Sequence, residues 1–219
     1  IVKILNSKFL HRSLFVALLI VSAINVSAQK KREFRGAWIQ SVNGQFQGMT
    51  MSAMQSTLSY QLDELQKDGV NAIIFQVRPE CDALYVSDIE PWSRFLTGQQ
   101  GKDPGWDPLQ WMILECHKRG MELHAWINPY RAKTKGTQTL AESHVCNQFP
   151  NRYFEYDGLY VLNPGLKENR DYIGQVSADI VRRYDIDGFH IDDYFYPYPM
   201  AGVNIRDEEL FNQNPNGFK

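Results

Sequence analysis

Cysteine, histidine and surplus positive charge are all scarce in this 219-residue chain, and each shortage excludes something. The three cysteines (Cys81, Cys116, Cys146) show no metal-ligand spacing, and an odd number cannot form a fully paired disulfide framework. A Cys81–Cys146 bridge stays open for an oxidising compartment. Cys116 falls on the apolar stripe of a helix and reads as core. Five histidines are few for a metal-dependent hydrolase, and no H-x-H pair stands on the first strand. His11 belongs to the leading segment, His117 to a helix and His144 to a long loop. His124, His190 and Asp192 are the one set that keeps the metal class as a rival; no metal or other cofactor is expected. With 23 basic against 25 acidic residues, the net charge of −2 offers no basic face for nucleic acid. A G-x-G-x-x-G turn is missing after the first strand, which argues against a dinucleotide-binding open sheet. A hydrophobic share of 43% with 22% charged residues excludes disorder and supplies a core.

The first 28 residues read as an export signal. Lys3, Lys8 and Arg12 make a positive start, and residues 14–21 (LFVALLIV) form an apolar run too short to span a bilayer comfortably. Val26-Ser27-Ala28 places small residues where a signal peptidase cuts, leaving Gln29 as the new N-terminus. Loss of those three basic residues takes the formal charge from −2 to −5. No cysteine follows the apolar run, so a lipid anchor is not indicated. The expectation is a periplasmic or extracellular protein without stable membrane insertion; the alternative is an uncut anchor. The domain reading is 1–28 signal and 29–219 barrel.

What the rest of the chain has is strand–helix alternation. Residues 34–42 (FRGAWIQSV) read as a strand. Met54, Leu58, Leu62 and Leu65 mark a helix, with Lys67 in its last turn and Gly69 as its stop. Residues 72–77 (AIIFQV) form an apolar run suited to a parallel strand covered on both faces. Asp107-Pro108 reads as an N-cap with proline in the first turn. Leu109, Met112, Ile113 and Cys116 form the stripe of that helix, and Lys118-Arg119-Gly120 closes it. Residues 121–127 (MELHAWI) make a third strand. After a long excursion over 128–165, Tyr172, Ile173, Val176, Ile180 and Val181 share the face of a third helix. Residues 188–194 are the fourth strand. Helix-to-strand turns are tight and strand-to-helix loops are long, notably 79–107 and 128–165. This is the pattern of a (β/α)8 TIM-type barrel, whose site is built from the loops after the strands. A whole barrel takes roughly 250 residues. The expectation is therefore the first four β/α units of a longer barrel; the alternative is a half-barrel that dimerises.

Strand alternation sorts the chemistry. His190 and Asp192 share one face of the fourth strand, pointing into the mouth. Phe189 and Ile191 take the other and should pack on helices. Asp193 turns away and supports. His124, Trp126 and Asn128 share a face of the third strand, Gln76 and Arg78 of the second, Trp38 and Gln40 of the first. Glycoside hydrolysis needs two carboxyl groups across the bond. Asp192 is the leading candidate, with Asp193 and Glu80 the other candidate catalytic carboxylates and a later strand the better source of the second. Trp38, Gln40, Arg78, Asn128, Tyr130, Arg131, His190 and Tyr194 are candidate sugar-binding residues. Tyr85 and Trp92, in the second loop, are candidate stacking platforms. For Arg78 the alternative is a buried ion pair with Asp192 or Glu80.

Five motifs occur in order: Phe34-Arg35-Gly36-Ala37-Trp38-Ile39; Gln76-Val77-Arg78-Pro79 with Asp82-Ala83-Leu84-Tyr85; His124-Ala125-Trp126-Ile127-Asn128-Pro129-Tyr130-Arg131; Leu162-Asn163-Pro164-Gly165; and 187–197 (DGFHIDDYFYP). Together they resemble glycosyl-hydrolase-like family 10 over residues 32–200. The resemblance implies a (β/α)8 barrel, export, and action on O-glycosidic bonds of a cell-envelope or other polysaccharide, peptidoglycan glycan strands included. A non-catalytic glycan-binding barrel is the alternative. The last motif is also similar to the D-G-F-R-x-D strand of α-amylase-type barrels, with Asp192 on the nucleophile position. His190 in place of the arginine counts against that mechanism. The chitinase pattern D-G-x-D-x-D-x-E is not met, because His190 and Tyr194 stand where it needs acids.

Overall fold

The computed structural model describes residues 33–213, except 138, 194, 195, 204, 206 and 207. The chain divides into two units, Ile1–Phe34 and Arg35–Lys219, and the fold below is that of the second. The expected signal segment 1–28 and Tyr194 lie outside the described residues.

Four parallel strands form the main sheet: β1 (Gly36–Ile39), β2 (Ala72–Arg78), β3 (Glu122–Ile127) and β7 (Gly188–Ile191), in that order. Consecutive strands pair as neighbours, Trp38 with Ile74, Ile74 with His124, His124 with Gly188. Helices α1 (Met51–Lys67), α3 (Pro108–Lys118) and α5 (Lys167–Arg183) fill the three crossovers. The expected TIM-barrel pattern is thus present, strand for strand.

The caps follow the sequence. Thr50 accepts the Ala53 N–H at 3.2 Å to start α1, and Asp107 accepts the Gln110 N–H at 3.0 Å ahead of Pro108. Gly69 (φ 82°) and Gly120 (φ 69°) reverse the chain after α1 and α3, in the left-handed region that side chains resist. β2 is buried at every position, as a strand covered on both faces must be. Its outward residues Ile73, Phe75 and Val77 join Met54, Leu58 and Leu62 of α1 and Leu109, Met112, Ile113 and Cys116 of α3 in one core. Each such side chain contributes about 1.5–3 kcal/mol on burial.

Several expectations change. β1 stops at Ile39 rather than running to residue 42, because the Ser41 N–H turns to the Gln76 side chain and Asn43 and Gly44 take positive φ. On α5, Ile173, Val176 and Ile180 are buried, but Val181 is 56% exposed and Asn169 takes the inner position instead. Phe189 packs on the core as expected, whereas Ile191 is exposed at the end of an edge strand. Cys81 and Cys146 are both buried and free, not bridged.

The excursion 128–165 is not irregular. It carries a three-stranded antiparallel sheet of β4 (Arg131–Lys133), β6 (Leu159–Leu162) and β5 (Tyr153–Tyr156), and a short helix α4 (Val145–Gln148). Asp157 (φ 50°) and Gly158 (φ 76°) make the two-residue hairpin turn, a chemistry readable from Asp-Gly between aromatic runs. Two more short helices, α2 (Arg94–Thr97) and α6 (Glu208–Gln213), lie in the second and last loops. Among the described residues, no helix is long and apolar enough to cross a membrane.

Gly188 shows how tightly the interior is filled. A Cβ there would stand 2.3 Å from His124 Nδ1 and 2.6 Å from its Cγ. Gly188→Ala is therefore expected to cost about 1–3 kcal/mol of stability, as overpacking does. Urea unfolding measures it, and an unchanged midpoint would show that the His124 ring moves aside freely.

Candidate active site

The C-terminal ends of the four parallel strands deliver Ser41, Gln76, Asn128 and Asp192 to one place. Strand parity does the sorting: Gln76, Trp126 and His190 are register neighbours on the inward face. Asp192 stands one residue beyond β7 and is half-buried. Both of its carboxylate oxygens accept from Asn128 Nδ2, at 3.0 and 3.1 Å. Asn128 Oδ1 accepts from Gln76 Nε2 at 2.7 Å. Gln76 Oε1 in turn accepts the Ser41 N–H at 3.0 Å and its hydroxyl at 3.3 Å.

Beside this row stands an aromatic wall. Trp38 Nε1 donates to His190 Nε2 at 3.3 Å, with the rings edge-on at 5.8 Å. An accepting Nε2 carries no proton, so the His190 proton rides on Nδ1. Trp126 meets the same imidazole edge-on at 6.3 Å, and its buried Nε1 has no hydrogen-bond partner among the described residues. Trp38, on the end strand of the sheet, is 61% exposed. With Gln40, also exposed, Trp38 and Trp126 line an open groove of about 510 Å³ running to Tyr60 and Gln61 of α1.

Arg78 corrects both readings made for it. Its guanidinium is fully buried and therefore has no face toward a ligand, and its ion-pair partner is Glu90 rather than Asp192 or Glu80. Nε donates to both Glu90 oxygens (3.0 and 2.8 Å) and Nη2 to one (2.6 Å). Nη1 donates to the Asn128 and Pro129 carbonyls at 2.6 and 3.1 Å. Tyr172 supplies Glu90 with a further donor at 2.7 Å. Glu90 was not singled out in the sequence; its place in a loop of ordinary polarity carries no signal.

Glu80 also leaves the list of candidate catalytic carboxylates. It is buried and accepts from Thr134 N (3.1 Å), the Thr134 hydroxyl, Thr137 Oγ1 (2.6 Å) and Arg94 Nε (3.1 Å). Those contacts tie the third loop to the second. Its carbonyl accepts from His144 Nε2 at 2.9 Å, and burial pushes the His144 pKa down. Tyr85 is buried and meets Tyr184 edge-on at 5.8 Å, and Trp92 packs on the main core. The second loop folds down over the helices instead of rising as a platform. Tyr130 and Arg131 are half-buried; Tyr130 packs on the core clusters, and the Arg131 carbonyl accepts from Cys81 Sγ at 3.4 Å. Asp193 is exposed. Among the described residues no three His, Cys, Asp or Glu groups are placed to hold a metal ion.

A parallel β/α sheet with a held carboxylate at the C-terminal ends of its strands is the arrangement on which (β/α)8-barrel enzymes build their active sites. The chain belongs to the family described as Glycosyl hydrolase-like 10, whose model matches residues 33–217. It is 41% identical over 208 residues to Glycosyl hydrolase YngK of Bacillus subtilis (strain 168), covering 92% of this chain and 41% of that protein. It is 36% identical over 211 residues to Glycosyl hydrolase DigH of Escherichia coli (strain K12), covering 87% of this chain and 48% of that one. The chain thus spans less than half the length of either relative. A hypothetical protein from Ruminiclostridium thermocellum ATCC 27405 shares the fold, with TM-score 0.52 at 12% identity over 82% of this chain and 88% of that one.

Two stability measurements follow from these contacts. Arg78→Met leaves Glu90 buried without its cation and is expected to cost about 3–5 kcal/mol by chemical denaturation; a cost under 1 kcal/mol would show that Glu90 is resolvated. Asp82, fully buried, is pushed up from 3.8 to about 7 by burial and then by the charge of Glu80. Between those values the unfolded chain has lost the proton and the folded one keeps it. Raising the pH through that window therefore removes stability, and the loss levels off above about pH 7. Urea midpoints across the window are expected to fall in the wild type relative to Asp82→Asn; parallel curves would contradict the assignment.

Proposed function

We propose that the protein cleaves O-glycosidic bonds of a cell-envelope polysaccharide, with peptidoglycan glycan strands the leading substrate, and that Asp192 is its nucleophile or charge-stabilising carboxylate. The carrying observation is the position of Asp192: at the C-terminal end of β7, half-buried, with both oxygens held by Asn128. A carboxylate held only by a donor is suited to act as the charged partner, not as the proton donor. Trp38 and His190 stand beside it as an indole face and an imidazole edge for a sugar ring. The second carboxylate is assigned to a residue outside those described, because Glu80 is engaged by Thr134, Thr137 and Arg94. We further propose that residues 1–28 direct export, which suits an envelope substrate.

That same engagement of Glu80 favours, as a second reading, a barrel that binds glycan without cutting it. One variant separates the two. Asp192→Asn in the full-length protein, assayed on purified glycan strands by release of reducing ends, is expected to lower turnover by at least ~100-fold while binding in sedimentation persists. Full turnover in that variant rejects Asp192. Binding without turnover in the wild type selects the second reading.

A further inference from the structure

The row from Ser41 to Asp192 has a direction. A side-chain amide can stand either way round in the same space, because its oxygen and nitrogen are nearly the same size. What selects one way is the partner at each end. The Ser41 backbone N–H can only donate, so the group facing it at 3.0 Å must be the Gln76 oxygen. The Gln76 amino group then faces Asn128 at 2.7 Å, and there it requires the Asn128 oxygen. The Asn128 amino group is left for Asp192, at 3.0 and 3.1 Å. A carboxylate can only accept, so the far end demands the same order.

We infer that Gln76 is a positioning residue of this site: pinned by the Ser41 N–H, its amide sets which way round Asn128 stands and so delivers the Asn128 amino group to Asp192. The inference rests on the proposed role of Asp192. Ser41, Gln76 and Asn128 are 0%, 1% and 1% exposed, so water does not replace a missing link. The backbone of Asn128 is fixed separately. Its N–H donates to the Arg78 carbonyl at 2.9 Å, and its carbonyl accepts from the Arg78 guanidinium at 2.6 Å. Arg78 therefore decides where Asn128 is, and Gln76 decides which way it faces. A reversed Asn128 would turn its oxygen on the Asp192 carboxylate, two acceptors face to face, and the carboxylate would swing from its place.

Gln76→Glu tests the direction rather than the shape. It keeps an oxygen for Ser41 but loses the donor toward Asn128 whenever the new carboxyl is ionised. The charged or titratable groups around that carboxyl are Arg78, two residues along its own strand, His190, two register steps across the sheet, and Asp192, reached through Asn128. In the full-length protein, with peptidoglycan glycan strands as substrate, kcat relative to wild type is expected to fall as pH rises through the titration of the new carboxyl. The fall is on the order of 10- to 100-fold, with KM little changed. It recovers on acidification, when a protonated carboxyl again donates to Asn128. Gln76→Met, with neither donor nor acceptor, is expected to be impaired at every pH. Wild-type kcat for Gln76→Glu across the range, or a loss indifferent to pH, overturns the inference.

A substrate-free readout covers a variant that does not fold. In ¹⁵N–¹H spectra of the otherwise wild-type protein, Asp192→Ala is expected to shift the side-chain amide signals of both Asn128 and Gln76. An unmoved Gln76 signal overturns the relay, whatever happens to hydrolysis. Shifted signals in a protein that hydrolyses no glycan support the relay and remove only the proposed function.

Discussion

A guanidinium shut off from solvent must find an acceptor for the N–H groups it carries, and Arg78 finds them in Glu90 and in the carbonyls of Asn128 and Pro129. Glu90 comes from the second loop, Asn128 from the end of β3, and Tyr172 of α5 completes the carboxylate. One buried cation thus holds the second loop, the third strand and the third crossover helix in a single arrangement. Removing either charge leaves the other buried and unpaired, which is what makes the arrangement all-or-none. The mouth is built on top of it.

The loops divide the work that follows. The second loop, which carries Tyr85 and Trp92, packs downward and closes the core. The third folds into its own small sheet, and Glu80 anchors it through Thr134 and Thr137. Carboxylates therefore occur in two states close together in the chain: Glu80 and Glu90 consumed in holding loops, Asp192 left half-open. Burial separates them, since a fully enclosed carboxylate must spend its lone pairs on fixed donors, whereas Asp192 spends only part of its capacity on Asn128. His190 also faces the mouth, its Nε2 accepting from Trp38.

Much of the fold was legible in the chain. Helix α3 carries its cap at the expected Asp107, α1 and α3 stop at the expected glycines, β2 reads as a doubly covered strand, and alternation along the last strand separates Phe189 from His190. Legibility fails where an element's surroundings decide. The periodicity of α5 counts Val181 with its apolar face, but the helix rotates to bury Asn169, whose amide ties the Arg152 and Asn163 carbonyls. The small sheet of the third loop hid behind strands of three and four residues, with only Asp157-Gly158 to announce it. Ser41 and Gln76 escaped notice in the site because a glutamine on an inward strand face has no chemistry of its own until its two partners are known.

What the sequence by itself determined is the alternation of strands and helices, the family, and two of the four residues that meet at the strand ends, Asn128 and Asp192. Those follow from local rules, propensity and the period of side-chain direction, which need no knowledge of what lies across the sheet. Only the tertiary structure decided which polar groups are spent and which are free. Arg78, Glu80 and Asp192 look alike on paper as charged residues at strand ends. Their fates depend on contacts between segments up to 64 residues apart, such as Asn128 with Asp192, and hydrogen-bond partners at that separation are chosen by packing rather than by neighbours in the chain.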